Sequence, residues 1–231
     1  MMKRFLFFLV LFLMIFSMQI SAQVIQGALI GGLNASQVDG DEIYGFDRYG
    51  GVIGAAAIIP FDRNWSVSLE TLFSQKGSYQ SAFYTAIYKD SITGVETILT
   101  GEYDLRLNYV EVPLMVHYTD RERITVGTGF SYARMVGVTE KEHGNLINTT
   151  TTNSGTYNKS DFLVHADIRF RLYENLKLNF RYSYSILKIR TREFTNLSGS
   201  NSWIRDQRNN VFAIRLIWVF NEKAKTLDEV K

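Results

Sequence analysis

The chain has no cysteine and only two prolines, Pro60 and Pro113, among 231 residues. Without cysteine there can be no disulfide and no lipid attached through a thiol, so an exported form must find its stability elsewhere. The formal net charge of +2 gives no electrostatic basis for binding nucleic acid. Beyond the N-terminal segment, no apolar run is long enough for a membrane helix. Cysteine ligands are lacking and His117, His143 and His165 are far apart in sequence, so no metal signature is read and no cofactor is expected. GGLNAS lacks the following GK[ST] of a phosphate loop.

What is present is export and alternation. Lys3 and Arg4 precede an apolar stretch from Phe5 to about Ile20, and the small residues Ser21 and Ala22 close it. This reads as a signal peptide over residues 1–22, cleaved after Ala22; a retained N-terminal helix is the alternative. The expected organisation is one barrel domain over 23–220 and a polar tail over 221–231.

Period-two patterning dominates the mature chain. In 162–172, Phe162, Val164, Ile168 and Phe170 share one face, while His165, Asp167, Arg169 and Arg171 share the other. Segment 176–186 sets Leu178, Phe180 and Tyr182 against Asn179, Arg181 and Ser183. Segment 211–220 sets Phe212, Ile214, Leu216 and Trp218 against a face centred on Arg215. Weaker versions occur at 24–35, 49–59, 65–73, 103–118 and 124–132, for eight strands in all. Short turns at 60–64, 119–123 and 173–175 alternate with long polar links near 36–48, 80–101, 137–160 and 187–209. Residues 84–101 are read as a hairpin projecting beyond the barrel.

Eight antiparallel strands with short turns at one end and long loops at the other is the layout of an all-β, up-and-down transmembrane barrel. A secreted lipocalin-like barrel also alternates, with the faces reversed. The membrane reading is favoured by aromatic residues crowding the strand ends (Tyr49, Trp65, Tyr103, Tyr118, Tyr132, Tyr173, Trp218 and Phe220). It also fits a polar face that mixes glycine, serine and asparagine with a few charges.

A barrel of eight strands holds little more than its own side chains. Charges expected inside are Glu70, Arg106, Glu111, Asp167, Arg169, Arg171, Arg181 and Arg215, which must pair or stay wet. The expectation is an ionic network of Glu70 and Glu111 against Arg169, Arg181 and Arg215. The excess of bases in that set would make any pore anion-preferring. In LNYVEVPLMVHY (107–118) the apolar phase changes at Tyr109–Val110, which suggests a β-bulge there. No nucleophile–base pair is read from the sequence, and no enzyme activity is expected.

GALIGGLNAS, then GGVIGAAAIIPFDRNWSVSLETLFSQKGS, then LNYVEVPLMVHY, resemble the PorT-like outer-membrane β-barrel family of Bacteroidota. The SAQ ending of the signal is similar to export signals common there. The resemblance implies an outer-membrane location, lipid contact and an eight-stranded barrel, and it transfers no functional residues. The functional expectation is a structural or interaction barrel that meets partners through its extracellular loops. The alternatives are an accessory of type IX protein secretion and a small pore. Asp90-Ser91-Ile92, at the hairpin tip, resembles the O-glycosylation site of Bacteroidota, with Ser91 as the acceptor. Asp39, Asp41 and Glu42 form an acidic loop in which calcium is the alternative to simple solvation. The tract from Gly144 to Ser160 reads as flexible surface.

Overall fold

The computed structural model describes residues 25–89, 94, 96–121, 123–195, 201–220 and 222. The signal segment, Ser91 and nearly all of the tail lie outside the described residues.

The strands are β1 (Gln26–Asp39), β2 (Arg48–Pro60), β3 (Trp65–Gln80), β4 (Ala86–Lys89), β5 (Glu96–Leu99), β6 (Tyr103–Asp120), β7 (Ile124–Glu142), β8 (Asn145–Leu146), β9 (Ser160–Arg171), β10 (Leu176–Ser185), β11 (Arg190–Thr195) and β12 (Ser202–Val219). Eight of them form a ring in the order β1-β2-β3-β6-β7-β9-β10-β12, and β12 pairs back onto β1 from Ala28↔Val219 to Asp39↔Arg208. Closure leaves the ring without an edge. The short strands all lie at the long-loop end: β4 pairs with β5, β8 with β7, and β11 with β12.

Several strands run further than the sequence pattern suggests. β3 continues to Gln80, β7 to Glu142, and β12 begins at Ser202, so part of each long link is strand. A tilted strand needs about 9–11 residues to cross a bilayer. β6 has 18 residues and β7 has 19, so the barrel projects well past the membrane at the long-loop end.

β6 shows where the membrane stops. Its burial alternates without interruption from Leu105 to Tyr118, odd residues inside and even residues outside. The inside sequence is Tyr103, Leu105, Leu107, Tyr109, then Glu111, Pro113, Met115 and His117. The outside sequence is Asp104, Arg106, Asn108, then Val110, Val112, Leu114, Val116 and Tyr118. The strand keeps its phase while polarity changes sides. In lipid, apolar groups face out and polar groups face in. In water the preference reverses. β7 repeats the switch: Ile124, Val126, Phe130 and Tyr132 face outside with Thr128 among them and are followed by Arg134, whereas Ser131 gives way inside to Ala133 and Met135.

Three expectations are corrected as a result. The β6–β7 register shifts at Asn108/Tyr109, but the extra residue is Val136 of β7, which is exposed. Arg106 is outside, paired with Asp104 at 2.9 Å, because no phase change brings it in. Tyr103 does not belong to the aromatic belt: it is buried inside, with Val38, Leu105, Leu107, Tyr109, Met135, Tyr157, Leu163 and Ile189. The other belt residues are exposed. Trp65 and Tyr118 meet edge-to-face at 5.1 Å near the short turns. Tyr132–Phe162 and Tyr182–Phe212 pair at the opposite rim, with centroids 5.9 and 4.9 Å apart. Such amphipathic rings mark the two interfaces of a membrane.

Candidate functional site: the filled lumen and the loop end

The barrel interior holds two ionic layers and an apolar cap. The lower layer is built by five strands. Glu70 of β3 receives Arg181 of β10 through both terminal nitrogens, at 2.9 and 2.8 Å. Arg215 of β12 adds a contact at 3.2 Å, and Arg169 of β9 one at 3.4 Å. Asp167 is a second acid of the same layer, 2.8 Å from Arg181 and 3.3 Å from Arg169. Arg169 also donates to Nε2 of His117. The same ring nitrogen lies 3.5 Å from Asp167 Oδ1. Asn179 Oδ1 accepts from Arg215 Nε at 2.7 Å. Gly127 makes room for this layer: a Cβ there would stand 2.3 Å from the His117 ring and 2.7 Å from Asp167.

Glu111 lies apart from that layer. Its partner is Lys76 of the neighbouring strand β3, not an arginine. Lys76 also stands 5.1 Å from the centre of the Tyr109 ring. Asp161, at the level of Glu111 through Ala133, is fully buried and accepts from Ser185 at 2.6 Å and Asn209 at 3.0 Å. The apolar alternation of this strand reads only to Phe73 in the sequence, short of Lys76. Gly77 permits the continuation: its φ is +146° and a Cβ would stand 1.9 Å from the Leu105 carbonyl oxygen. With Lys76 and Asp161 included, the buried charges of the two layers balance. Lys76, Arg169, Arg181 and Arg215 face Glu70, Glu111, Asp161 and Asp167. The basic excess behind an anion-preferring pore is therefore absent among these residues.

Above the ions lies a buried apolar cluster around Leu105, Leu107, Tyr109 and Leu163. Glu140 caps it, accepting from Tyr103 Oη, Arg190 Nη1 and Thr150 Oγ1, each at 2.8 Å. Arg190 also donates to Tyr157 Oη at 2.8 Å. Tyr157 belongs to the Thr/Asn-rich tract and is 3 % exposed, so this tract is tied into the barrel top and is not a loose surface segment.

The histidines are structural by position. His165 is 3 % exposed and sits between Ser131 at 2.8 Å and Ser183 at 2.7 Å. A Ser–His contact thus exists that spacing did not reveal, sealed inside the lumen. His143 accepts the amides of Thr100 and Gly101 at 3.2 and 3.1 Å and fastens the base of the β4–β5 hairpin. In the acidic loop, Asp39 accepts from Gln37 at 2.8 Å, Asp41 from the Ile43 amide at 2.9 Å, and Glu42 from the Trp203 indole at 2.6 Å. The carboxylates are engaged separately, and no group of ligands able to hold a metal occurs among the described residues.

Residues 22–190 match the family described as outer membrane protein beta-barrel domain. No curated protein matches the chain. Among solved structures, the attachment invasion locus protein Ail of Yersinia pestis, in complex with the heparin analogue sucrose octasulfate, is similar at 12 % identity and a TM-score of 0.48, over 85 % of this chain and 99 % of that one. Neisserial surface protein A is similar at 9 % identity and a TM-score of 0.47, over 84 % and 97 %. The outer membrane protein AlkL is similar at 15 % identity and a TM-score of 0.41, over 89 % and 93 %. Nothing about function is carried over from these proteins.

Proposed function

The chain belongs to the outer membrane protein beta-barrel domain family, and on that premise we propose that it is a non-enzymatic, sealed barrel that presents its long-loop end to extracellular partners. The observation that carries this reading is the distribution of structure along the barrel axis. The lumen is filled by ion pairs and an apolar cap. The short strands β4, β5, β8 and β11 all decorate the opposite, projecting end. That end exposes Tyr44, Phe83, Tyr84, Ile87, Ile98 and Ile204. Large apolar groups that face water without covering a core are surfaces suited to contact.

The reading includes export by a cleaved signal over residues 1–22, and Ser91 as a surface acceptor for O-glycosylation. Membership of the PorT-like branch, with an accessory role in type IX secretion, rests on sequence likeness alone; a deletion strain that retains type IX cargo in the periplasm would support it. The interaction reading is tested by trimming the hairpin over 84–101 to a short turn. The trimmed barrel should assemble, showing heat-modifiable migration, yet fail to restore a deletion strain. Full restoration would contradict the proposal.

A further inference from the structure

At the short-turn end, Arg171 closes β9 and Lys177 opens β10, and the two are ladder partners. Adjacent cations repel one another, and the repulsion grows where water is scarce. Both side chains are largely withdrawn from solvent, 19 % and 14 % exposed. What stands between them is a carboxylate from beyond the last strand. Glu222 Oε1 lies 2.5 Å from Arg171 Nη2 and 2.8 Å from Lys177 Nζ.

The contact is not needed to close the barrel. β12 ends at Val219, and the Phe220 amide already donates to the Gly27 carbonyl at 2.7 Å. Residue 222 returns to the mouth as an additional contact. It enters a cavity of about 180 Å³ whose walls include Asn64, Trp65, Thr119, Thr125 and Arg169. Its Oε2 is buried without a hydrogen-bond partner. One oxygen bridging two cations is how a small oxyanion is held.

We propose that the short-turn mouth is a carboxylate-binding site, filled in cis by Glu222, and that the carboxylate of an acidic peptide takes the same place when Glu222 leaves. Glu222 is then a removable occupant of the short-turn mouth. This inference does not depend on the role of the long-loop end.

The test is the reactivity of Lys177 in the full chain, purified in detergent. A neutral acetylating reagent labels free amines, and peptide mass spectrometry reads each lysine. In the unaltered protein Lys177 should react several-fold more slowly than Lys89, whose side chain is 66 % exposed. Glu222→Gln should raise the Lys177 rate several-fold and leave Lys89 unchanged. Acetate should then restore protection in the variant better than chloride at equal ionic strength, and a short acidic peptide should do the same. Glu222→Ala, checked for heat-modifiable migration, gives the same comparison if the amide variant folds poorly. Fast labelling of Lys177 in the unaltered protein, no acceleration in either variant, or equal protection by acetate and chloride would overturn the proposal.

Discussion

Arg181 and Glu70 join opposite walls of the barrel. β10 and β3 are separated by three strands in either direction around the ring, and the two side chains meet through paired contacts of 2.9 and 2.8 Å. Glu70→Gln should therefore destabilise more than a polar exchange at an exposed loop position. It leaves Arg169, Arg181 and Arg215 facing Asp167 alone. Removing one member of a buried ionic set costs about 3–5 kcal/mol. Denaturant unfolding in detergent measures it, and a loss no greater than that of an exposed substitution would show the layer to be dispensable.

Lys76 and Glu111 should behave as a unit. Either Lys76→Met or Glu111→Leu alone strands a buried charge. Together they remove both, so the double variant should lose less than the sum, with a coupling of about 0.5–3 kcal/mol. Strict additivity would mean that the pair is not formed.

The polarity switch on β6 makes a positional prediction. Leu114→Arg places a cation in the lipid band and should cost about 2–4 kcal/mol of folding free energy in vesicles. Asn108→Arg, six residues along the same outer face, should cost about 0–1 kcal/mol because it lies at the rim. Equal costs would contradict the placement of the membrane boundary.

Burial pushes the Asp41 carboxyl from its ordinary 3.8 to about 6, against the opposing hydrogen bond from the Ile43 amide. Between those values the folded state holds a proton that the unfolded chain has lost, so stability falls as pH rises. The acidic loop should be most firmly held below about pH 4 and should loosen through about pH 6, by this linkage. Hydrogen exchange at Ile43, corrected for its intrinsic pH dependence, should show this, and Asp41→Asn should flatten it. A profile identical in the variant would dismiss Asp41 as the cause.

The faces of β9, β10 and β12 are legible in the sequence because their polarity alternates cleanly within lipid: Arg169, Arg181 and Arg215 come together with Glu70 as the period-two pattern implies. The pattern is illegible where the surroundings change. Tyr103, Leu105 and Leu107 look lipid-facing when one medium is assumed along the whole of β6, and the same assumption puts Arg106 inside. The break in pattern before Gly77 hides Lys76, so alternation alone points Glu111 to an arginine across the lumen, whereas its partner is the lysine on the adjacent strand. Tyr157 anchors a tract whose threonines and asparagines otherwise read as surface, and nothing in its spacing announces the Arg190 partner.

The central claim is that these layers seal the barrel while its loops do the work of contact. Planar-bilayer recording of the refolded protein tests it most directly. A sealed lumen predicts a steady baseline without discrete conductance steps. Reproducible unitary steps from the unaltered protein would contradict it.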